Sequence, residues 1–154
     1  MGEVSLVRTI ALATLVAGAL DILFAICLTL FFGREPMSML RYVASGPFPP
    51  ATDWGAPGSL LGLATHFTLM AIMVTLFVLA ARQWPPLTQK PIQWGVIYGL
   101  ITYVAMNLIV VPLRFGNWPP TPRSVATQLF AHIVLVGIPT ALIVARNLRP
   151  RAIV

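Results

Sequence analysis

The sequence predicts an all-α polytopic membrane protein, a four-transmembrane-helix antiparallel bundle with a short outer-side interfacial helix. The first observation is composition: of 154 residues, 58% are hydrophobic and 9% are charged, and the mean hydropathy is +0.87. A soluble domain carries about 25% charged residues, so this chain lacks the polar side chains to cover a water-exposed surface. Composition therefore excludes a soluble globular enzyme, a disordered tail and a coiled coil. The length leaves room for a single transmembrane domain over 1–154.

The second observation is that the apolar residues fall into four blocks, each long enough for a membrane-spanning helix of about 20 residues. The blocks cover residues 9–32, 59–81, 93–113 and 124–145, each end being approximate. Backbone groups in lipid must bond within their own segment, which favours helices. Barrel strands would instead appear as alternating segments of about 10 residues.

The first block could be mistaken for a secretory signal, because Arg8 precedes its apolar stretch. That stretch runs 24 residues, whereas the apolar core of a signal peptide has about 7–15. We therefore expect a retained helix.

The outer connections predict three further features. Met37, Leu40 and Val43 repeat at helical spacing, which is typical of a short helix lying on the outer surface. The proline- and glycine-rich run over 46–58 should exclude a regular helix. Ser124 is a suitable N-cap for the fourth helix, and Pro139 should kink that helix.

Basic residues indicate the orientation, because cytoplasmic loops of membrane proteins carry an excess of lysine and arginine. With both termini in the cytoplasm, six basic residues lie inside and four lie outside. The inner set is Arg8, Arg82, Lys90, Arg146, Arg149 and Arg151, and the outer set is Arg34, Arg41, Arg114 and Arg123. Most of the +6 charge thus lies at helix ends, where it can bind anionic lipid headgroups, and it gives no reason to expect a nucleic-acid partner.

Apart from hydroxyl side chains and Gln128, four strongly polar side chains are expected at similar depth in the predicted spans, one in each helix: Asp21, His66, Asn107 and His132. His66 and His132 lie about 10–12 Å below the outer end, Asn107 about 9 Å and Asp21 about 16 Å, at 1.5 Å per residue. A charged residue at such depth costs about 2.5–3.5 kcal/mol on insertion scales, so it faces the bundle and has a partner. The small residues around Asp21, such as Gly18, also favour an inward orientation.

Several chemistries fit these four residues. His66 and His132 could ligate a haem b iron from opposite faces, or bind a transition metal together with Asp21. The group could instead relay protons, as Asp and His chains do in transporters. A hydrogen-bonded network that only specifies helix packing fits as well.

Motifs of covalent haem attachment, of nucleophilic hydrolases, of zinc proteases and of phosphate binding are missing from the sequence. This favours a protein without enzymatic activity and predicts no catalytic residue. Two function classes then stay open. One is an intramembrane site that binds a metal, haem or small ligand or handles protons, and the other is an accessory or scaffold subunit. Beyond the lipid bilayer, the expected partners are another membrane protein or further copies of the chain.

A set of short motifs resembles a group of small bacterial four-helix inner-membrane proteins and is distantly similar to YagU, an inner-membrane protein linked to acid resistance. The motifs are Thr65-His66-Phe67, Tyr98-Gly99, Met106-Asn107 with Val111-Pro112-Leu113, and Ala131-His132 with Gly137-Ile138-Pro139. The resemblance covers roughly residues 59–145. It implies a bacterial cytoplasmic membrane and a role under acid stress. It draws attention to His66 and His132, and it supplies no mechanism.

Overall fold

The computed structural model describes residues 3–148, and every regular element in that range is helical. Four of its helices are long and apolar enough to cross a membrane, which confirms the predicted all-α polytopic class. The helices are α1 (Glu3–Phe31), α2 (Pro36–Ala44), α3 (Gly55–Gln83), α4 (Pro86–Gln89), α5 (Pro91–Phe115) and α6 (Pro122–Leu148), with a 3₁₀ turn at Pro49–Asp53. Arg149 and Arg151 of the predicted inner charge set lie outside the described residues.

Helix α3 begins at Gly55, within the proline- and glycine-rich run 46–58 that was expected to exclude a regular helix. That prediction was wrong for residues 55–58. The first-turn N–H groups of a helix have no partner within the helix, so Pro57 loses no hydrogen bond there. The helix consequently starts four residues before the apolar block.

The short helix predicted between the first two spans is present as α2, and it packs against the first turns of α3. The hydroxyl of Ser59 donates a hydrogen bond to the carbonyl of Met37 at 2.9 Å. A side chain at Gly62 would collide with the backbone carbonyl of Leu40, so glycine is what allows the two helices to touch there. Leu40 and Ala44 are buried in this contact.

The last helix, α6, is the most buried of the four spans. In its most apolar window 44% of the residues are buried, compared with 22–28% in the other three. It packs against both α1 and α5, and α1 in turn packs against α3. The core around these contacts consists mainly of small and β-branched side chains, among them Ala13, Ala17, Val74, Val78, Val136, Ala141 and Val144.

The N-terminus of α6 differs from the prediction. Thr121, rather than Ser124, is the N-cap, and its side-chain oxygen accepts a hydrogen bond from the Ser124 N–H at 3.2 Å. Pro122 takes the first helical position, where its missing N–H costs nothing and its fixed φ suits a helix. The helix therefore starts one turn before the residue that the sequence suggested.

Candidate functional site: a histidine network below an outer pocket

The contact between α5 and α6 is so close that backbone touches backbone. Gly95 and Gly99 lie one turn apart on α5, and Gly137 of α6 lies against them. A Cβ atom on Gly99 would stand 2.5 Å from the carbonyl oxygen of His132 and 2.6 Å from the Cα of Ile133. These glycines therefore fix the position of His132 relative to α5.

Each of these two helices contains a π-helical segment, Val104–Val110 in α5 and Ala131–Gly137 in α6. Asn107 lies in the first segment and His132 in the second. Each segment ends two residues before a proline, at Pro112 and Pro139. Proline has no N–H to offer the carbonyl four residues earlier, so the α-helical pattern is interrupted there. In α6 the predicted effect of Pro139 thus takes the form of a π segment, a feature that is frequent at functional sites.

A chain of hydrogen bonds joins the two π segments. The Asn107 Nδ2 atom lies 2.9 Å from His132 Nε2, and His132 Nδ1 lies 3.0 Å from the Thr102 hydroxyl oxygen. The Thr102 hydroxyl donates its hydrogen to the Gly99 carbonyl at 3.0 Å. Because that hydrogen is already used, Thr102 can only accept from Nδ1–H, and Nε2 is left as the acceptor for the Asn107 amide. The network therefore fits a neutral His132 with its hydrogen on Nδ1.

This network lies beneath a pocket at the end of the bundle where α5 ends and α6 begins. The pocket has a volume of about 500 Å³ and is lined by Tyr103, Asn107 and Val111 of α5 and by loop residues 116–121. Asn107 is part of the pocket wall, whereas His132 is buried, with 8% of its surface exposed. The asparagine amide consequently stands between the pocket and the Nε2 atom of the histidine.

Hydrogen bonds to α2 and to the two residues after it fix the position of side chains at the mouth of this pocket. The Arg114 guanidinium donates hydrogen bonds of 2.7 Å to the carbonyls of Ser45 and Gly46 at the C-terminal end of α2. The Asn117 side chain, which lines the pocket, donates to the Tyr42 hydroxyl at 2.9 Å. The pocket mouth is therefore coupled to α2.

Asp21 and His66 form a second, separate pair between α1 and α3. His66 Nε2 lies 3.0 Å from the carbonyl oxygen of Gly18, so it carries the hydrogen of that bond, because a carbonyl can only accept. The other ring nitrogen, Nδ1, faces the carboxylate of Asp21 at 3.9 Å. Asp21 thus has a partner on the neighbouring helix, as the cost of a charged residue inside a span predicted.

The structure divides the four predicted residues into two pairs. Asp21 pairs with His66, and Asn107 with His132, and no polar contact between residues 6 and 148 joins one pair to the other. Within the described part of the chain, no group of three or more His, Cys, Asp or Glu side chains could hold a metal ion. Both ring nitrogens of His132 already have protein partners, so ligation of haem or a metal would break one of these hydrogen bonds.

Sequence reasoning did not identify Thr102 or the glycines of the α5–α6 contact as part of this site. The spacing of Gly95 and Gly99 matches the small-xxx-small pattern of close helix contacts, and this signal could have revealed the contact. For Thr102 no such signal existed, because threonine is common in membrane helices. Comparison with protein-family models, with curated proteins and with solved structures found no match.

Proposed function

We propose that this chain is a small integral membrane protein that takes up and releases protons at His132 from the outer side. The observation that carries the proposal is the unbroken sequence of contacts from the outer pocket through Asn107 and His132 to Thr102. Asp and His side chains inside membrane segments are typical of proton relays. The site thus combines a titratable group with access from one side.

The chemistry of the network supports both protonation states of the ring. In the neutral state Nε2 accepts from the Asn107 amide. When a proton binds at Nε2, rotation of the Asn107 side chain by half a turn presents its amide oxygen, which accepts from the new N–H. The Nδ1–H keeps its bond to Thr102 in both states. No ring nitrogen is left without a partner, so the buried imidazole can change its protonation state at little cost in lost hydrogen bonds.

The membrane and orientation belong to the same proposal. We place the chain in the bacterial cytoplasmic membrane, as one of the YagU-like group, with both termini in the cytoplasm and the pocket open to the opposite side. Contacts within the chain occupy three of the four outer arginines. Arg41 lies 3.4 Å from Glu35, Arg114 binds the end of α2, and Arg123 stacks on Phe32 at 4.9 Å. These contacts explain the presence of the three arginines by their role in the fold, whichever side of the membrane they face.

The proposal is tested by counting protons. Protein in liposomes is mixed rapidly with acidified buffer, and a pH dye on the outer side reports the protons taken up per chain. The His132→Gln variant, which retains a donor and an acceptor at this position, should take up about one proton fewer than the wild type. His66→Gln is the matched control, and the outer-side uptake at His132 should persist in it. Equal uptake by wild type and His132→Gln would refute the proposal.

A second candidate function is that of an accessory subunit, and one surface of α3 favours it. A shallow groove of about 520 Å³ on the lipid-facing side of α3 contains Thr68, Ala71 and Thr75 among its lining residues. Small side chains allow a helix of another chain to approach closely. The Ala71→Leu substitution would fill the groove and should release a bound partner or a second copy in mild detergent, as judged by native mass spectrometry. An unchanged assembly would exclude this surface as the contact.

A further inference from the structure

Three buried hydroxyl groups in the inner half of the bundle take no part in the hydrogen-bond network of His132. They belong to Thr14 of α1, Tyr98 of α5 and Thr140 of α6, whose exposed fractions are 7%, 8% and 0%. None of the three hydroxyl oxygens has a hydrogen-bond partner among the described residues. Burying a hydroxyl without a partner is unfavourable, so three of them in one small core require an explanation.

The three residues lie at one level of the bundle. Thr14 is eight residues from Leu6, Tyr98 seven from Pro91, and Thr140 eight from Leu148, which places each about 10–12 Å from the inner end of its helix. Their helices also meet, because the last turns of α6 pack against both α1 and α5. Tyr98 itself and the residues Ala13 and Ala141, which adjoin the two threonines, belong to one buried cluster.

This inner hydroxyl layer continues the faces that carry the outer polar groups. Thr14 lies seven residues, or two turns, before Asp21 on the same face of α1. Tyr98 lies one turn before Thr102 on α5. In α6 the π segment places residues five apart above one another, so His132 stands over Gly137, and Thr140 follows one turn later. The layer is therefore the next polar level that a proton leaving Thr102 would meet on its way inward.

We propose that the inner hydroxyl layer binds water, and that this water extends the His132 network into a proton path towards the inner face. The inference rests on the proposed function of His132. Each of the three hydroxyls is buried without a protein partner, and buried waters characteristically bind to such groups. A cation is the weaker choice, because Asp21, the carboxylate that shares a face with Thr14, lies two turns further out, about 10 Å away.

The bound water accepts the proton that is transferred from His132 through Thr102. A proton arriving from the outer pocket binds at Nε2 and makes the ring an imidazolium. The Nδ1–H then passes its proton to the Thr102 oxygen while Thr102 gives its own hydrogen to the water. One proton enters and one leaves, and the ring is transiently neutral with its hydrogen on Nε2 before the resting Nδ1–H form is restored. Thr102 can take part because its hydroxyl bond to Gly99 is local and can be exchanged for a bond to water.

The first test measures contact with water in the wild-type protein, so that it does not depend on the folding of a variant. Protein with ¹³C-labelled threonine and tyrosine is placed in bilayers, and magnetisation transferred from water is recorded by solid-state NMR. Thr121 in the outer pocket is the wet reference, and Thr68 on the lipid-facing side is the dry one. We expect Thr14 and Thr140 to build up signal as Thr121 does. Build-up as slow as that of Thr68 would overturn the inference.

The second test measures proton flux into liposomes under an applied potential. Thr140→Val and Tyr98→Phe remove hydroxyls at nearly constant volume and should lower the flux severalfold. Thr29→Val removes a hydroxyl that is bonded to the Ala25 carbonyl of its own helix, and it should leave the flux unchanged. A hydrated layer with a flux that neither variant alters would overturn the path. Proton uptake at His132 is scored separately in the dye experiment. Normal uptake with a dry layer would therefore refute this inference alone, whereas lost uptake would refute the function on which it rests.

Discussion

The substitution Gly99→Ala tests how strongly the α5–α6 contact determines the site. The new methyl group would stand 2.5 Å from the His132 carbonyl oxygen and 2.6 Å from the Ile133 Cα. Relaxed C···O contacts lie at about 3.3–3.6 Å, and C···C contacts at about 3.5–4.0 Å. Both atoms belong to the backbone of α6, so no rotamer change can relieve the collision. The two helices must separate by roughly 1 Å.

That displacement is enough to break the network. The His132–Thr102 distance of 3.0 Å would rise to about 4 Å, beyond the range of a hydrogen bond. Overpacking costs about 1–3 kcal/mol, and the lost hydrogen bond adds about 1 kcal/mol. We therefore expect the free energy of unfolding to fall by about 2–4 kcal/mol.

The assay is reversible unfolding of the purified protein in mixed detergent micelles, followed by circular dichroism. Gly46→Ala is the matched control, because the nearest atoms to its methyl group would be the Val43 carbonyl oxygen at 3.3 Å and Cζ of the Phe115 side chain at 3.9 Å. A Gly99→Ala protein as stable as this control would show that α5 and α6 do not pack backbone to backbone. Proton uptake of the same variant, measured with the dye, should fall along with its stability.

Three further predictions concern single contacts. Thr102→Val leaves the imidazole Nδ1–H of His132 without an acceptor and should lower the free energy of unfolding by about 1–3 kcal/mol. The control Thr68→Val removes an exposed hydroxyl and should change the free energy of unfolding by less than about 0.5 kcal/mol. Arg114→Ala removes both hydrogen bonds to the end of α2 and should lower the thermal midpoint, and the same change at the exposed Arg34 serves as its control. Thr121→Ala removes the N-cap of α6 and should cost about 0.5–2 kcal/mol, with recovery in Thr121→Ser; equal midpoints for these two variants would contradict the cap assignment.

The sequence alone predicts the helices because hydropathy reports directly on membrane insertion. Hydropathy also gives the approximate ends of each helix, and the expected depth of a polar residue is counted from those ends. The inward orientation of Asp21 followed from its small neighbours, and the pair with His66 agrees with it.

Which polar residues meet could not be predicted, because that depends on the order of the helices and on their rotation. Counting residues places His66 and His132 at one level, yet each binds a different neighbour: Asp21 and Gly18 for His66, and Asn107 and Thr102 for His132. The π segments change the rotation by adding a residue to a turn. Periodicity based on a regular helix therefore misplaces side chains beyond them.

The protonation state of His132 tests the central claim most directly. The chain has two histidines, so a ¹⁵N-histidine label in the His66→Gln variant isolates the ring of His132 in an NMR spectrum. We predict a hydrogen on Nδ1 and a bare Nε2 at neutral pH, and protonation of Nε2 when the solution on the outer side of the bilayer is acidified. A ring with its hydrogen on Nε2 at neutral pH, or one that does not respond to outer acid, would contradict the account.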